Sequence, residues 1–438
     1  MPQNFRYLKR ILLLTVFLLA RAPSIPAPVW ADAQEDELFL VAEKAFDDGF
    51  YDVAIRYIEQ FLTKYPQTQK RIQAQILLGQ CYFFKSQYLK AFDIFQGLVQ
   101  YPEFKDATLF WLGETYFKGG DYKQAAKHYE QMISLYPKSS YVPQALFSLG
   151  WTYFEQGKYP GAQDIFVTLI HEFPTHPLSE DAAFKLGECA HNSGEYEKAQ
   201  KFFKEFLAQY PQSPKQAEGY FYIAESYYYS GDFLTAVTYY AKAADVAYDS
   251  KIIFASRVGM GWCYLKLRKY DLARNSFGEA EKLAAEKNIQ SDDIHLGLAS
   301  LYSETGENQK TGEAYQTIID HFPDSPRLAE SYLGKANSDY ALKKYDEAIS
   351  GYQWIIKQYA GEDPSRREIL EKAYYGLAWT YLKSGRVELA IRSFEDISRK
   401  SDSNIVKASA LTQIGDAYQE INDLPKAIDV YDRILRDH

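Results

Sequence analysis

The chain has 438 residues, of which 47% are hydrophobic and 24% charged, and its formal net charge is −9. This apolar content is enough to build a substantial core and argues against a largely disordered chain. The acidic balance repels phosphate backbones and anionic lipid headgroups, so nucleic acid is not an expected partner.

Residues 1–33 have the features of a secretory signal peptide. Arg6, Lys9 and Arg10 precede the apolar run 11–20, which is about half the length that spans a bilayer. Small-residue cleavage motifs follow at 29–31 and 31–33; an uncleaved signal anchor is the alternative. No cysteine lies near the apolar run, so acylation as a lipoprotein is not expected.

Cleavage would leave residues 34–438 as a periplasmic or secreted protein without an integral membrane segment. Because residues 1–33 carry four basic residues and one acidic residue, the mature net charge becomes −12. Such a surface suits basic or apolar segments of protein partners.

A repeated pattern of small residues runs through the rest of the chain. Each copy has a small residue, here called the anchor, usually with an aromatic residue three positions later and alanine twelve positions later. Seven of the ten spacings between anchors are 37 residues, which indicates a repeat architecture. The eleven anchors are Ala42, Gly79, Gly113, Gly150, Gly187, Ala224, Gly261, Ala299, Ala336, Ala378 and Gly415.

This pattern predicts a helical hairpin in each copy. The anchor and the later alanine, replaced only by Thr311, are small where two antiparallel helices would touch. A proline after Tyr or Phe should end the second helix. Ser213-Pro214 and Ser325-Pro326 predict an N-cap followed by proline at the first helical position. Since one hairpin cannot bury its apolar stripe, stacked hairpins should share a continuous core.

The segments FWLGETYFKGGDYKQAAKHYEQMISLYPKSS (110–140) and LGWTYFEQGKYPGAQDIF (149–166) resemble tetratricopeptide repeats. The resemblance covers about residues 36–438 and implies an all-α fold, a right-handed α–α superhelix (solenoid) of about eleven hairpins. The 37-residue period is similar to that of bacterial envelope members, including the periplasmic coordinator of the Tol–Pal system and the lipoprotein of the outer-membrane β-barrel assembly machinery. The chain lacks the cysteine of the lipoprotein and the heptad coiled coil of the coordinator.

Irregularities in the repeat predict changes of superhelical curvature near residues 245–295 and 360–370. The final proline is missing after two hairpins, where Tyr248 and Ala285 stand, and five extra residues lie around 361–364. The three cysteines, Cys81, Cys189 and Cys263, share one repeat position in copies that are not neighbours, which places them beyond disulfide reach.

In the tetratricopeptide family the first helix of each hairpin lines a concave groove, at three before, one after and four after the anchor. The predicted peptide-binding groove consists of Phe110, Glu114, Phe117, Phe147, Trp151, Phe154, Phe184, Glu188, Phe221, Glu225, Tyr228, Trp262, Tyr375 and Trp379. We expect its aromatic rings to pack on an extended or helical peptide and its glutamates to contact Lys or Arg of that ligand. The alternative is that most of the rings pack on neighbouring hairpins and the glutamates are only solvated.

Motifs for catalysis are absent from the sequence. His171 and His176 are separated by Pro174 and cannot share a helical metal-binding face, and neither HExxH nor a pair of CxxC motifs occurs. GxSxG and glycine-rich phosphate loops are missing as well. His191 occupies a groove position and either contacts a ligand or is a polar residue without that role. We expect no enzymatic activity, no cofactor and no metal.

The sequence therefore favours an exported scaffold for protein–protein interactions in the cell envelope. A role in outer-membrane assembly or cell division follows only by analogy with the family. One alternative is a substrate-positioning arm of a larger envelope enzyme. Another is a solenoid that binds carbohydrate or peptidoglycan through its Trp and Tyr residues. The partner and the oligomeric state stay open at this point.

Overall fold

The computed structural model describes residues 29–359, 366–401 and 403–437. These residues form twenty-two α-helices and one short 3₁₀-helix, Pro102–Phe104, and no β-strand occurs among them. The predicted all-α fold of repeated helix hairpins is confirmed. The basic residues and apolar run of the predicted signal peptide lie outside the described residues, whereas both cleavage motifs lie at the start of the first helix.

The helices belong to two compact units that meet in sequence at Ser230 and Gly231. The first unit contains α1 Val29–Asp47, α2 Tyr51–Lys64, α3 Arg71–Phe84, α4 Tyr88–Leu98, α5 Lys105–Lys118, α6 Tyr122–Leu135, α7 Val142–Glu155, α8 Tyr159–Glu172, α9 Leu178–Asn192, α10 Tyr196–Gln209 and α11 Gln216–Tyr229. The second contains α12 Phe233–Val246, α13 Ser250–Lys266, α14 Tyr270–Lys287, α15 Asp293–Glu304, α16 Asn308–His321, α17 Leu328–Ala341, α18 Tyr345–Tyr359, α19 Arg367–Lys383, α20 Val387–Lys400, α21 Asn404–Glu420 and α22 Leu424–Asp437.

Odd-numbered helices carry the anchors and even-numbered helices carry the later alanines. Between the two, the residue seven positions after each anchor has a positive φ. It is glycine in seven turns, with φ between 70° and 86°, and Ser86, Arg268, Lys343 or Asn422 in the others. A left-handed residue is a common way to end a helix, and here it reverses the chain within three residues.

The anchors are small because an aromatic ring of the second helix lies against them. A Cβ added to Gly113 would lie 2.5 Å from the ring of Tyr129, and one added to Gly150 would lie 2.7 Å from Phe166. Each ring stands sixteen residues after its anchor and is fully buried. The predicted close approach of the two helices is therefore confirmed, with a ring and not only alanine on the opposite side.

In the second unit, glycine also occurs two positions before the anchor. A Cβ on Gly297 of α15 would lie 2.4 Å from Phe277 of α14, and one on Gly334 of α17 would lie 2.2 Å from Tyr315 of α16. Phe277 is thus held between two glycines, because its own anchor, Gly261, would place a Cβ 2.5 Å from the same ring. These rings join one hairpin to the next.

Proline ends the second helices as the sequence predicts. Five of the helices, α2, α6, α8, α10 and α16, stop two residues before Pro66, Pro137, Pro174, Pro211 and Pro323. α14 lacks such a proline and extends over 18 residues, where α16 has 14, before Asn288 ends it in the left-handed conformation with φ 52°. The predicted changes of curvature stay predictions.

The predicted start of α11 and α17 is wrong by two residues. α11 begins at Gln216, not at Pro214, and α17 begins at Leu328, not at Pro326. Instead of capping the helix, Ser213 Oγ accepts a hydrogen bond from the backbone N–H of Lys215 at 3.1 Å. Ser213 forms a turn before the helix, because its hydroxyl also donates a hydrogen bond to Glu180 of the previous hairpin.

That engagement is part of a link between successive hairpins, which we call the hairpin clamp. The Ser213 hydroxyl donates to Glu180 Oε1 at 2.6 Å, and Lys215 Nζ lies 2.8 Å from Asp181 Oδ1. Equivalent hydroxyl-to-carboxylate bonds join Thr68 to Glu35, Ser139 to Asp106 and Ser325 to Asp292. The clamp couples the start of one first helix to the loop before the next.

All three cysteines are buried and none of them forms a disulfide, as the sequence predicts. Burial raises the pKa of Cys81 and of Cys189 to about 12, so both thiols stay protonated and unreactive at neutral pH. Within the described ranges, every helix is too short or too polar to qualify as a membrane span.

Candidate partner-binding surface

The fourteen predicted groove residues differ in depth. Phe110, Phe147 and Phe184, three positions before their anchors, are only 3–4% exposed. Phe110 stacks on Tyr141 with ring centroids 5.0 Å apart, and Phe184 meets Phe203 edge-on at 5.2 Å. These three rings are core residues, as the packing alternative states, and we leave them out of the candidate surface.

Glu114 on α5 is also buried, with 4% of its surface exposed. Its Oε1 accepts hydrogen bonds from the Tyr129 hydroxyl at 2.7 Å and from the Ser148 hydroxyl at 2.6 Å. Burial raises the pKa of Glu114 even though both hydrogen bonds lower it. This carboxylate joins α5, α6 and α7 and is closed to a peptide ligand in this structure.

A partly exposed group on α7 and α9, which we call the Trp151 cluster, consists of Trp151, Phe154, Glu155, Lys185 and Glu188. Trp151 and Phe154 lie on α7, one and four positions after the anchor, and the indole N–H donates to Glu155 Oε1 at 2.8 Å. Lys185 reaches across from α9, with Nζ 4.6 Å from the Trp151 ring centroid and 5.0 Å from that of Phe154. Its ion-pair partner is Glu188, at 2.6 Å.

Residues of α11 contact the Trp151 cluster. The Tyr222 hydroxyl donates to Glu188 Oε1 at 3.1 Å, and the imidazole of His191 meets the Tyr222 ring edge-on at 5.5 Å. His191 Nδ1 lies 3.1 Å from Ser226 Oγ, and burial lowers the pKa of His191, which favours the neutral ring. His191 therefore has internal partners, and Tyr222 and Ser226 of α11 adjoin the Trp151 cluster.

The remaining predicted residues of the first unit are half-buried. Phe117 of α5 meets Tyr122 at 5.3 Å, and Phe221 of α11 meets Tyr222 edge-on at 6.1 Å. Glu225 and Tyr228 also lie on α11 and are half-buried. These residues extend the candidate surface on both sides of the Trp151 cluster.

In the second unit, Trp262 and Trp379 are half-buried and pack on their own hairpins. Trp262 meets Phe277 edge-on at 5.8 Å, and Trp379 meets Phe394 edge-on at 5.9 Å. The Tyr375 hydroxyl donates to the carbonyl oxygen of Val406 at 3.2 Å. Part of each side chain thus has a packing role, and the exposed remainder is available to a ligand.

In six hairpins the residue after the anchor corresponds in type to the ring fifteen residues further on, whereas Gln80 and Glu188 stand opposite phenylalanine. Each of the three tryptophans at this position, Trp151, Trp262 and Trp379, has phenylalanine as that ring. Where the position is polar and the ring is tyrosine, the tyrosine hydroxyl donates to it: Tyr129 to Glu114, Tyr352 to Asn337 and Tyr431 to Asp416, at 2.6–2.7 Å. Tryptophan here is therefore compatible with the hairpin without being required by it.

The predicted groove lacks Glu155, which follows Phe154 on α7, and it also lacks Lys185 of the Trp151 cluster and the adjoining Tyr222. The last two share a position in the repeat. Both stand two positions before their anchors, a position that the family pattern does not assign to the groove. Across the candidate surface, each of them contacts the residue after the anchor of the previous hairpin, as Ser148 does with Glu114. Because this contact recurs at fixed repeat positions, the spacing of the repeats could have indicated that Lys185 and Tyr222 lie beside the predicted groove residues.

No group of three or more His, Cys, Asp or Glu side chains in the described part of the chain could hold a metal ion. His171 is exposed and His176 is half-buried, and burial lowers the pKa of His176. The backbone N–H of Leu178 donates to His176 Nδ1 at 3.2 Å, which gives this imidazole a local structural partner.

Two family profiles, both described as tetratricopeptide repeat, match the chain. One matches residues 147–214, 333–405 and 375–438, and the other matches residues 107–139 and 293–325. Together these segments cover more than half of the chain. A comparison with curated proteins gives no match.

Several solved structures are similar to the chain at low identity. The apo form of RapI has a TM-score of 0.55 at 12% identity, over 81% of this chain and 99% of its own. A tetratricopeptide repeat protein from Parabacteroides merdae has a TM-score of 0.42 at 16% identity, over 61% of this chain and 99% of its own. The C-terminal part of a TPR repeat-containing protein from Cytophaga hutchinsonii has a TM-score of 0.48 at 14% identity, over 58% of this chain and 98% of its own.

At such identities the likeness to RapI shows the fold alone, and the other two add no separate argument. The matches support the repeat family and not the narrower resemblance to the two envelope proteins considered above. The repeated hairpins, the small anchors and the matched family profiles together identify the chain as a tetratricopeptide repeat protein.

Proposed function

We propose that this protein is a non-enzymatic scaffold that binds protein partners through the first-helix face of its first unit, centred on the Trp151 cluster. Tetratricopeptide repeats are modules of protein–protein interaction, which supports the class of function. The observation that carries the location is the partly exposed group of two aromatic rings and three charged side chains on α7 and α9. Aromatic residues with adjacent charge are typical anchors of interfaces.

Photo-crosslinking in cells tests this location. A photoreactive amino acid at position 151 should capture specific partners, and the same amino acid at position 167, an exposed site on α8 of the same hairpin, serves as the control. Identical crosslinked species from both positions would contradict the proposal.

Trp151→Ala should reduce capture of those partners from a second crosslinking position, Phe117. The fold should survive, because Trp151 is half-buried and the neighbouring ring Phe166 stays in place. Circular dichroism and thermal unfolding check the fold. Loss of helical signal together with loss of capture would count against a separate binding role for the indole.

We also propose that the protein is exported to the cell envelope and works there, with outer-membrane assembly or cell division as the narrower roles. The basic residues, apolar run and small-residue motifs of residues 1–33 support export. N-terminal sequencing of the protein purified from cell fractions tests it. A mature chain that begins after residue 31 or 33 in the envelope fraction is expected, and an intact Met1 in the cytoplasmic fraction would overturn the proposal.

A further inference from the structure

Lys185 occupies an unusual place for a surface lysine. Its side chain is only 16% exposed, and that of its partner Glu188 is 13% exposed. The ammonium lies within 5.0 Å of two aromatic ring centroids and 2.6 Å from a carboxylate oxygen. This combination of ring faces and a carboxylate is the chemistry by which proteins bind cationic groups.

The rings and the cation belong to different hairpins. Trp151 and Phe154 stand on α7, whereas Lys185 stands on α9. Each of the two helices also supplies a carboxylate. Glu155 of α7 accepts a hydrogen bond from the Trp151 indole, and Glu188 of α9 pairs with Lys185. Without the lysine, the group of two rings would carry two negative charges and no positive charge, and it would attract a cation from solution.

The hairpin packing does not require lysine at this position. The other first helices of the first unit carry Leu40, Leu77, Trp111, Ser148 or Tyr222 two positions before the anchor. The position accepts aliphatic, aromatic and hydroxyl side chains, so the ammonium of Lys185 is a choice particular to this hairpin.

We infer that Trp151, Phe154, Glu155 and Glu188 form a binding site for a lysine or arginine side chain of a protein partner, and that Lys185 fills this site in the free protein. The partner's cation enters as the flexible stem of Lys185 swings out toward solvent. The inference rests on the proposed function, since it assigns the chemistry of the ligand to the same surface.

Removal of the internal cation exposes the site to a small probe. Full-length protein labelled with 5-fluorotryptophan gives a ¹⁹F signal for each of its 6 tryptophans, and Trp151→Phe assigns the relevant one. We expect Lys185→Ala to bind Nα-acetyl-lysine methylamide, read as a saturable shift of the Trp151 signal, at least about tenfold more tightly than the wild type. Nα-acetyl-norleucine methylamide, which lacks the charge, should produce no saturable shift.

Two further variants make the test decisive. Lys185→Gln keeps most of the stem without the charge and should give an intermediate gain, which covers the case that Lys185→Ala unfolds. Lys201→Ala, at an exposed lysine paired with Glu205 on α10, should behave as the wild type does. Equal affinity of the wild type and both Lys185 variants, or equal shifts with the norleucine probe, would overturn the inference.

The two proposals fail in different ways. Specific crosslinks from position 151 without binding of the lysine probe would mean that partners bind there by apolar packing alone. Binding of the probe without specific crosslinks would retain the cation site and overturn the proposed location of the partner.

Discussion

Burial separates Glu114 from the other carboxylates of the first-helix face. Its one oxygen serves two hydroxyl donors from two helices, so it acts as a junction inside the stack. Burial also makes its charged form costly, which is the reason for its raised pKa. Because the pKa of Glu114 differs between the folded and the unfolded chain, this carboxyl group should make the free energy of unfolding depend on pH.

We expect Glu114→Gln to remove this pH dependence, because glutamine does not titrate. The fold should be retained, since glutamine still offers an oxygen to the hydroxyls of Tyr129 and Ser148. With a raised pKa, the folded protein holds the proton more tightly than the unfolded chain does. The contribution of Glu114 to stability is therefore full below its ordinary pKa of 4.5 and is lost as the pH rises through the raised value. The free energy of unfolding of the wild type minus that of Glu114→Gln, from urea titrations, should fall as the pH rises from 4.5 through the raised pKa.

Glu172→Gln, at an exposed site on α8, controls for the loss of one negative charge elsewhere. A difference between wild type and Glu114→Gln that stays constant with pH would refute the role assigned to burial.

Depth was the part of the candidate surface that could not be predicted from the sequence. The repeat register places Trp151 and Phe154 on a first helix, where both are partly exposed. It could not show that Phe110 is buried, because the rings that cover it, Tyr129 and Tyr141, belong to the second helix and to the following loop. A periodic pattern within one helix predicts which way a side chain points, whereas its exposure to solvent depends on the side chains of neighbouring elements.

At the scale of helices, the hairpin clamp adds polar links to the apolar packing between hairpins. The ion pair of Lys215 with Asp181 is the most enclosed of these links, with side chains 13% and 15% exposed. Lys215 Nζ also lies 4.9 Å from the ring centroid of Phe184 in the core. Enclosure raises the cost of leaving one charge without its partner.

Lys215→Met should accordingly lower the free energy of unfolding by about 1–3 kcal/mol, because Asp181 loses its enclosed countercharge. Lys201→Met, which breaks the exposed pair with Glu205, should change it by less than about 0.5 kcal/mol. Urea unfolding followed by circular dichroism measures both. Similar effects of the two substitutions would show that the clamp contributes nothing beyond a surface ion pair.

Helix ends were predictable where a backbone constraint decides them. Proline after the aromatic residue ends α6 and α10 as expected, because it cannot continue the hydrogen-bonded ladder. The starts of α11 and α17 were not, since the hydroxyls of Ser213 and Ser325 bond to carboxylates of the preceding hairpin. Contact with another element prevailed over the local capping preference.

At the scale of the whole chain, stability should behave as a sum of neighbouring contacts. Each unit has buried core clusters of its own, one spanning Phe39–Cys189 in the first unit and two, Phe254–Ala314 and Leu333–Ala417, in the second. Damage at one ring between hairpins should therefore stay local.

Gly297→Ala tests this locality, because the new Cβ would lie 2.4 Å from the fully buried ring of Phe277. We expect a loss of about 1–3 kcal/mol and faster hydrogen exchange in α14, α15 and their neighbours. Exchange in α3–α8 should not change. Hydrogen–deuterium exchange with mass spectrometry reads all of these helices in one experiment.

Gly278→Ala is the matched control, one residue from Phe277, exposed and with open space around the added Cβ. It should stabilise α14 by up to about 1 kcal/mol, since alanine favours a helix more than glycine does. Faster exchange throughout both units in Gly297→Ala would contradict nearest-neighbour stability.

The match between the residue after the anchor and the ring fifteen positions later has a consequence for how such a surface diversifies. Tryptophan goes with phenylalanine in three hairpins, and a carboxylate or amide accepts a hydrogen bond from a tyrosine hydroxyl in three others. Gln80 and Glu188 stand opposite phenylalanine instead, so a polar residue at this position does not require the tyrosine. One hairpin can thus exchange an apolar face for a polar one by altering one or two side chains while its backbone stays the same. A new specificity could arise hairpin by hairpin.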